Sequence, residues 1–291
     1  AVITQPELHR SNTHTRPRQH SNQPQSRQQT SAMWLNHDKA NTTIGLMKRR
    51  DTQASETRID LSIHALTVTG ILAGMASLVA VLNAEPTKAI VWMMLAVVID
   101  GIDGPIARRW MTDSELPRFD GYILDLVIDY VTCVLVPCAF MWEFNVVNHG
   151  ITGQLTIAAV LGSAALWFSQ TNMETEDHWF KGFPAAWNLV IPTLWILGER
   201  PEFNILVCIG LSVLTLSTIE FPHTIRVGRF RYVNVAVTIL WMTSLIVLSF
   251  HTDQINNLER LLLLVAPLTI GTMVTMHEFE TKRDAAQQTT L

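Results

Sequence analysis

Charge is scarce in this chain: Asp, Glu, Lys and Arg make up 16% of its 291 residues, against about 25% in soluble domains. Cysteine is scarcer still. Cys133, Cys138 and Cys208 all fall in apolar stretches, with no CxxC spacing. That excludes a disulfide framework and makes reduced packing residues the expectation. The first ten residues, AVITQPELHR, lack the apolar core of a cleavable signal, so targeting is expected to come from spans further along. The net charge of -4 carries no basic footprint, so no nucleic-acid partner is expected.

Apolar residues, by contrast, are abundant and clustered. They form 48% of the chain, and the mean hydropathy is +0.22. Eight apolar segments, at about 61–82, 87–107, 121–144, 152–170, 183–198, 203–221, 231–250 and 259–278, each approach the ~20 residues a helix needs to cross hydrocarbon. The expected fold is therefore all-α: a polytopic integral membrane bundle of about eight helices. The second and fifth segments are the least regular, one ending in aspartates and the other holding Asn188 and Pro192. Residues 1–58 are rich in Gln, Ser, Thr, Asn, Arg and His and too poor in apolar groups to fold alone, so a largely disordered arm is expected before a membrane domain at 59–280 and a tail at 281–291. Near the end of the arm, Ile44 to Arg50 reads either as a short amphipathic segment on lipid headgroups or as a solvated linker.

Lys and Arg set the orientation. Arg108, Arg109, Arg118, Lys181, Arg226, Arg229, Arg231, Lys282 and Arg283 share one side, whereas Lys88, Arg200 and Arg260 hold the other. By the positive-inside rule the first side, with both termini, is the cytoplasmic one.

On that side lies an ordered frame, Asp100-Gly-Ile-Asp103-Gly104-x2-Ala107-Arg108, then Gly121-x3-Asp125-x3-Asp129. Spacings of three and four put each aspartate pair on one helix face, so four carboxylates can converge. They cannot all stay ionised without cations. Hard oxygen donors suit Mg²⁺ or Mn²⁺, and two such ions can clamp both sides of a phosphoryl displacement. Gly104 and Ala107 permit close backbone approach, and Arg108 offers a planar fork for phosphate. Taken singly, a membrane aspartate also reads as a helix-end residue that snorkels to water or pairs with arginine.

This frame resembles the CDP-alcohol phosphotransferase signature, D-x2-D-G-x2-A-R-x8-G-x3-D-x3-D. Every defined residue type is present, but twelve residues, Arg109 to Asp120, stand where the signature has eight. The longer turn and three further motifs resemble the bacterial phosphatidylcholine synthase branch of that family. They are His64-x2-Thr67-x2-Gly70, the run Thr175 to Asn188, and Phe221-Pro-His223-x2-Arg226-Val-x-Arg229. The resemblance implies transfer of the phosphatidyl group of CDP-diacylglycerol to choline with release of CMP, in a bacterial inner membrane, by a protein that forms a homodimer. It implies two divalent cations held by Asp100, Asp103, Asp125 and Asp129, with Asp129 also the general base, and a nucleotide wall of Gly104, Ala107, Arg108 and Thr67. His64 reads either as part of that site or as a partner for a neighbouring helix.

A choline ammonium cannot donate hydrogen bonds and is recognised by aromatic faces and carboxylates. Trp187, Tyr130 and Trp179 are candidates for the faces, Glu220 and Asp177 for the charge. The tryptophans read equally as belt residues at the membrane interface, Tyr130 as packing, and Glu220 as a partner for Arg226 or Arg229. Arg226 and Arg229 suit lipid phosphate or serve as topology signals. An acceptor such as serine, glycerol phosphate or inositol phosphate keeps the chemistry and changes the alcohol, and a divalent-cation transporter is the alternative from another class.

Overall fold

The computed structural model describes residues 67–110, 121–175, 177–198, 200–228, 230–252 and 255–289, with 103–110, 284–286, 288 and 289 described in backbone only. All belong to the unit Ser55–Leu291. The arm, His64, Arg118 and Arg229 lie outside these residues, and so does the division expected at residue 58.

Among the described residues eight helices follow in order: α1 (Thr67–Leu82), α2 (Pro86–Trp110), α3 (Gly121–Glu143), α4 (Ile151–Phe168), α5 (Trp187–Leu197), α6 (Pro201–Thr215), α7 (Arg231–Leu248) and α8 (Asn257–Thr289). Two short strands, β1 (Trp179–Lys181) and β2 (Glu220–Pro222), pair antiparallel with Phe180 opposite Phe221. The helices α3, α4, α7 and α8 are long and apolar enough to cross a bilayer. At most 39% of the residues in any of these apolar windows are buried in the protein. Leu72, Met75, Val79, Leu82, Tyr232, Ile239 and Leu268 point outward. Apolar faces turned away from the core need hydrocarbon around them, so this is a helical membrane protein.

At the centre stands α5. Ten of its eleven residues are buried, and it packs against α2, α3 and α7. Eleven residues rise about 17 Å, short of the ~30 Å hydrocarbon core. The segment expected at 183–198 is helical only from Trp187, and Phe183 to Ala186 complete it as non-helical chain. Backbone of that kind survives at membrane depth only inside protein, and Phe183 and Ala185 are both buried. Pro192 sits within α5; next to it, Thr193 Oγ1 donates to Leu189 O at 2.7 Å and accepts from Trp241 Nε1 of α7 at 2.8 Å.

Two local features set the position of the carboxylates. Pro137 lacks the N–H that an α-helix would direct back to Cys133 and crowds that carbonyl. α3 responds with a wide turn over Tyr130–Leu135, in which Val136 N–H reaches back to Val131 O. The turn begins one residue after Asp129, so the aspartates face their site from a helix that is re-registered just beyond them. The second feature is the spacing Gly70-x3-Gly74 on α1. A Cβ at Gly74 would stand 2.9 Å from Thr132 Cγ2, and one at Gly70 3.5 Å from Ile128 Cγ2. Glycine lets α1 lie close on α3 there.

Contacts at the helix ends sort the loops onto two faces. On one, Thr87 Oγ1 donates to Ser249 O at 2.7 Å and Asn204 Nδ2 to Val146 O at 2.9 Å. On the other, β1 meets β2, Glu220 meets His277 of α8, and Ile225 reaches Gly101 of α2. This is the alternation that eight sequential crossings require. α8 continues as helix past residue 281 to Thr289.

Candidate metal and nucleotide site

About 20 Å along α2, Asp100 comes beside the first two turns of α3. There it meets Asp125 and Asp129, one α-helical turn apart on one face. One carboxylate oxygen from each lies within 4.8 Å of the other two. Together they open onto a small cleft lined by Thr67, Gly70, Ala96, Ile99, Asp100, Asp125, Ile128, Asp129 and Thr132. α1 supplies the third wall through Thr67 and Gly70. Ala96, Ile99 and Ile128 line the cleft behind the carboxylates, of which Asp100 is exposed and Asp125 and Asp129 half-buried, so the site is open to ions from water.

Three carboxylates this close repel unless a positive charge or a proton intervenes. Opposed oxygens around a Mg²⁺-sized ion lie about 4.2 Å apart. A three-oxygen set spanning no more than 4.8 Å on two packed helices therefore fits a small hard cation. Asp103 lies three residues beyond Asp100 on α2, and its side chain, like those of Ala107 and Arg108, falls outside the described residues. So the structure brings Asp100, Asp125, Asp129 and Thr67 together in one cleft. Gly70 appeared in the first-span motif without a role, and it now proves to be a wall. Ala96, Ile99, Ile128 and Thr132 carry no sequence signal beyond helical spacing from the aspartates.

The ammonium candidates sit elsewhere; none of the five is among the described residues that line the cleft. Tyr130 Oη donates to Leu161 O of α4 at 3.1 Å, and its ring stands edge-on to Phe168. Trp187 is fully buried with its ring T-shaped to that of Phe183, and its Nε1 has no hydrogen-bond partner among the described residues. The adjacent Asn188 donates to Cys133 Sγ at 3.2 Å, one turn beyond Asp129. Trp179 is covered on one face by His277, the rings parallel at 3.7 Å. Asp177 accepts from Thr175 Oγ1 at 2.7 Å. Glu220 pairs with His277 Nε2 at 2.7 Å. Its partner is thus a histidine of α8 and not Arg226, because β2 runs along that helix.

Arg226 is engaged by Glu174, a residue sequence reasoning passed over. Its Nη1 donates to both Glu174 oxygens, at 3.2 and 3.1 Å, and His178 Nδ1 shares Oε1 at 2.8 Å. Burial pushes the Glu174 carboxyl up, but the His178 and Arg226 contacts outweigh it and hold the group below the usual carboxylate range. No local signal pairs residues that lie 52 positions apart.

These features agree with what the chain is similar to. The family model for CDP-alcohol phosphatidyltransferase matches residues 64–240. A Pseudomonas aeruginosa protein named phosphatidylcholine synthase is 36% identical over 182 residues, which cover 62% of this chain and 76% of that one. A Mesorhizobium japonicum protein of the same name is 38% identical over 182 residues, 62% of this chain and 67% of its own. A Brucella melitensis protein, also so named, is 35% identical over 199 residues, covering 68% and 71%. The matched region runs from the start of α1 into α7 and contains all four aspartates of the frame, so the chain belongs to the CDP-alcohol phosphatidyltransferase family.

Proposed function

We propose that this chain transfers the phosphatidyl group of CDP-diacylglycerol to choline and releases CMP. The observation that carries the reading is the convergence of Asp100, Asp125 and Asp129 within 4.8 Å at one cleft, in a chain whose relatives are named phosphatidylcholine synthase. Asp100, Asp103, Asp125 and Asp129 would hold the divalent cations, Mn²⁺ or Mg²⁺. When bound, these supply positive charge for the diphosphate and for the CMP that departs.

The protein's own groups do the rest. Asp129 accepts the proton of the choline hydroxyl as its oxygen forms a bond to the lipid-linked phosphorus and the bond from that phosphorus to the CMP oxygen breaks. Thr67, buried at the cleft, takes the nucleotide side with Gly104, Ala107 and Arg108. Arg226, with Arg229, takes the lipid phosphate. The ammonium is received on the α3–α5 side, where Tyr130 follows Asp129 and Asn188, next to Trp187, donates to Cys133 Sγ. Half-buried Tyr130 offers an aromatic face there for the cation–π attraction a quaternary ammonium needs, whereas Trp187 is fully enclosed. Trp179, Asp177 and Glu220 belong to the rim of the same loop face. Lys181, Arg226, Lys282 and Arg283 share that face, which supports its assignment to the cytoplasm of a bacterial inner membrane.

The test is CMP release from CDP-diacylglycerol by purified protein with Mn²⁺, comparing choline, serine, glycerol 3-phosphate and inositol phosphate. Release with choline and not the others, lost in EDTA, is the expected result. Release with another alcohol would overturn the choline assignment and keep the cleft chemistry.

A further inference from the structure

The loop that follows β2 comes close to the cleft helix. Ile225 Cδ1 lies 4.0 Å from the point a Cβ on Gly101 would occupy, one residue from Asp100. The loop thus lies beside a carboxylate of the site. What holds the loop in place is therefore a question about the reaction.

Two sets of bonds hold it. Within the loop, His223 Nδ1 accepts from the backbone N–H groups of Ile225 and Arg226, at 3.2 and 3.4 Å. Across to the preceding loop, His223 N donates to His178 O at 3.2 Å, and Phe180 lies over the His223 ring. His178 carries its carbonyl there from a left-handed backbone, φ 68°. That conformation is unfavourable for a histidine and persists only where surrounding bonds impose it. The bond from His178 Nδ1 to Glu174 is one of them. Glu174 also takes Arg226 Nη1 on both oxygens, so a single carboxylate ties the strained turn to the basic loop. This leaves Arg226 Nε buried and without a partner among the described residues. The side chain as a whole is 32% exposed, so the rest of the guanidinium stays open to a phosphate oxygen.

We infer that Glu174 is a positioning residue: by gripping Arg226 it seats residues 223–228 near Gly101 and orients the partly exposed guanidinium toward the phosphate of the lipid substrate. This rests on the reading of the cleft as the transfer site. Glu174 itself touches no reacting atom. It acts through Arg226, so removing either residue removes the same thing.

The experiment is a double-mutant cycle on the full chain, with Glu174→Gln, Arg226→Gln and the pair. The readouts are CMP-release kinetics and hydrogen exchange of residues 223–228 without substrate. Glu174→Gln is expected to raise the KM for CDP-diacylglycerol about tenfold and leave the choline KM within about twofold, because the lost contact is made to the lipid alone. The double variant should be no worse than Arg226→Gln, and the Ile225 and Arg226 amides should exchange faster in Glu174→Gln. Effects that multiply in the pair, equal rises in both KM values, or unchanged exchange would overturn the inference. Glu174→Asp keeps the charge at shorter reach and should show a smaller rise in the same KM, so the question stays answerable if the Gln variant does not fold. Should the unaltered protein release no CMP with choline, the proposed reaction fails, and hydrogen exchange still decides whether Glu174 seats the loop.

Discussion

Asp129 carries two burdens, one as a ligand in a crowded carboxylate set and one as the base that takes the hydroxyl proton. They have opposite signs for stability. Without a cation, Asp129 adds repulsion to Asp100 and Asp125 within 4.8 Å. Asp129→Asn removes that repulsion and keeps the shape. The variant should lose turnover by about 10²- to 10⁴-fold and melt no lower than the unaltered protein in EDTA, while still binding CDP-diacylglycerol. A thermal melt and a CMP assay on one preparation check both; retained turnover would remove Asp129 from the role of base. At this scale the sequence was most readable. Aspartates at intervals of three and four declare a shared face, and a glycine motif marks where α1 approaches. Glu174 was not legible, because its partner Arg226 is brought to it by the pairing of two three-residue strands with little pattern of their own.

Elements carry the next set of consequences. The turn into α5 begins at Gly182, whose φ of 84° favours glycine and whose missing Cβ would stand 2.1 Å from Thr215 O. Gly182→Ala should destabilise the protein by about 2–4 kcal/mol through both backbone strain and that clash. A thermal melt in detergent reads it, and an unchanged Tm would refute the close packing of this turn on the end of α6. The strand pair beside it should respond to pH through Glu174. A carboxyl held below its ordinary range contributes stability that is present above the unfolded value and is lost as pH falls through the folded one. Faster hydrogen exchange at 223–228 is therefore expected only once pH drops below the ordinary carboxylate range, and Glu174→Gln should abolish that dependence. Persistence of the dependence in the variant would assign it to another group. Sequence reading found the eight helices of the described residues but not the shortness of α5. Apolar content shows burial, and it cannot show whether a buried segment is helix or extended chain wrapped in protein. Pro137 was likewise visible, yet the wide turn it imposes on α3 follows from helix hydrogen bonding in three dimensions.

At the scale of the whole molecule, one face gathers what the reaction needs. The ends of α2 and α8, the start of α3, both strands and the basic loop all lie there, and the carboxylate cleft lies between α1, α2 and α3. Arg200 and Lys282 belong to opposite faces, and both are exposed. Cysteines placed at these two positions should react with a membrane-impermeant reagent from opposite sides of sealed vesicles, Lys282→Cys from the cytoplasmic side. Labelling of both from one side would refute the alternation of the helices. Beneath the topology lies the claim on which the rest depends, that Asp100, Asp125 and Asp129 form a cation site built by two helices. Mn²⁺ binding to the purified protein, followed by electron paramagnetic resonance and compared with Asp125→Asn, tests it most directly. The account predicts bound Mn²⁺ in the unaltered protein, displaced by Mg²⁺, and a large loss of binding in the variant. Equal Mn²⁺ binding by the two proteins, or none by either, would contradict it.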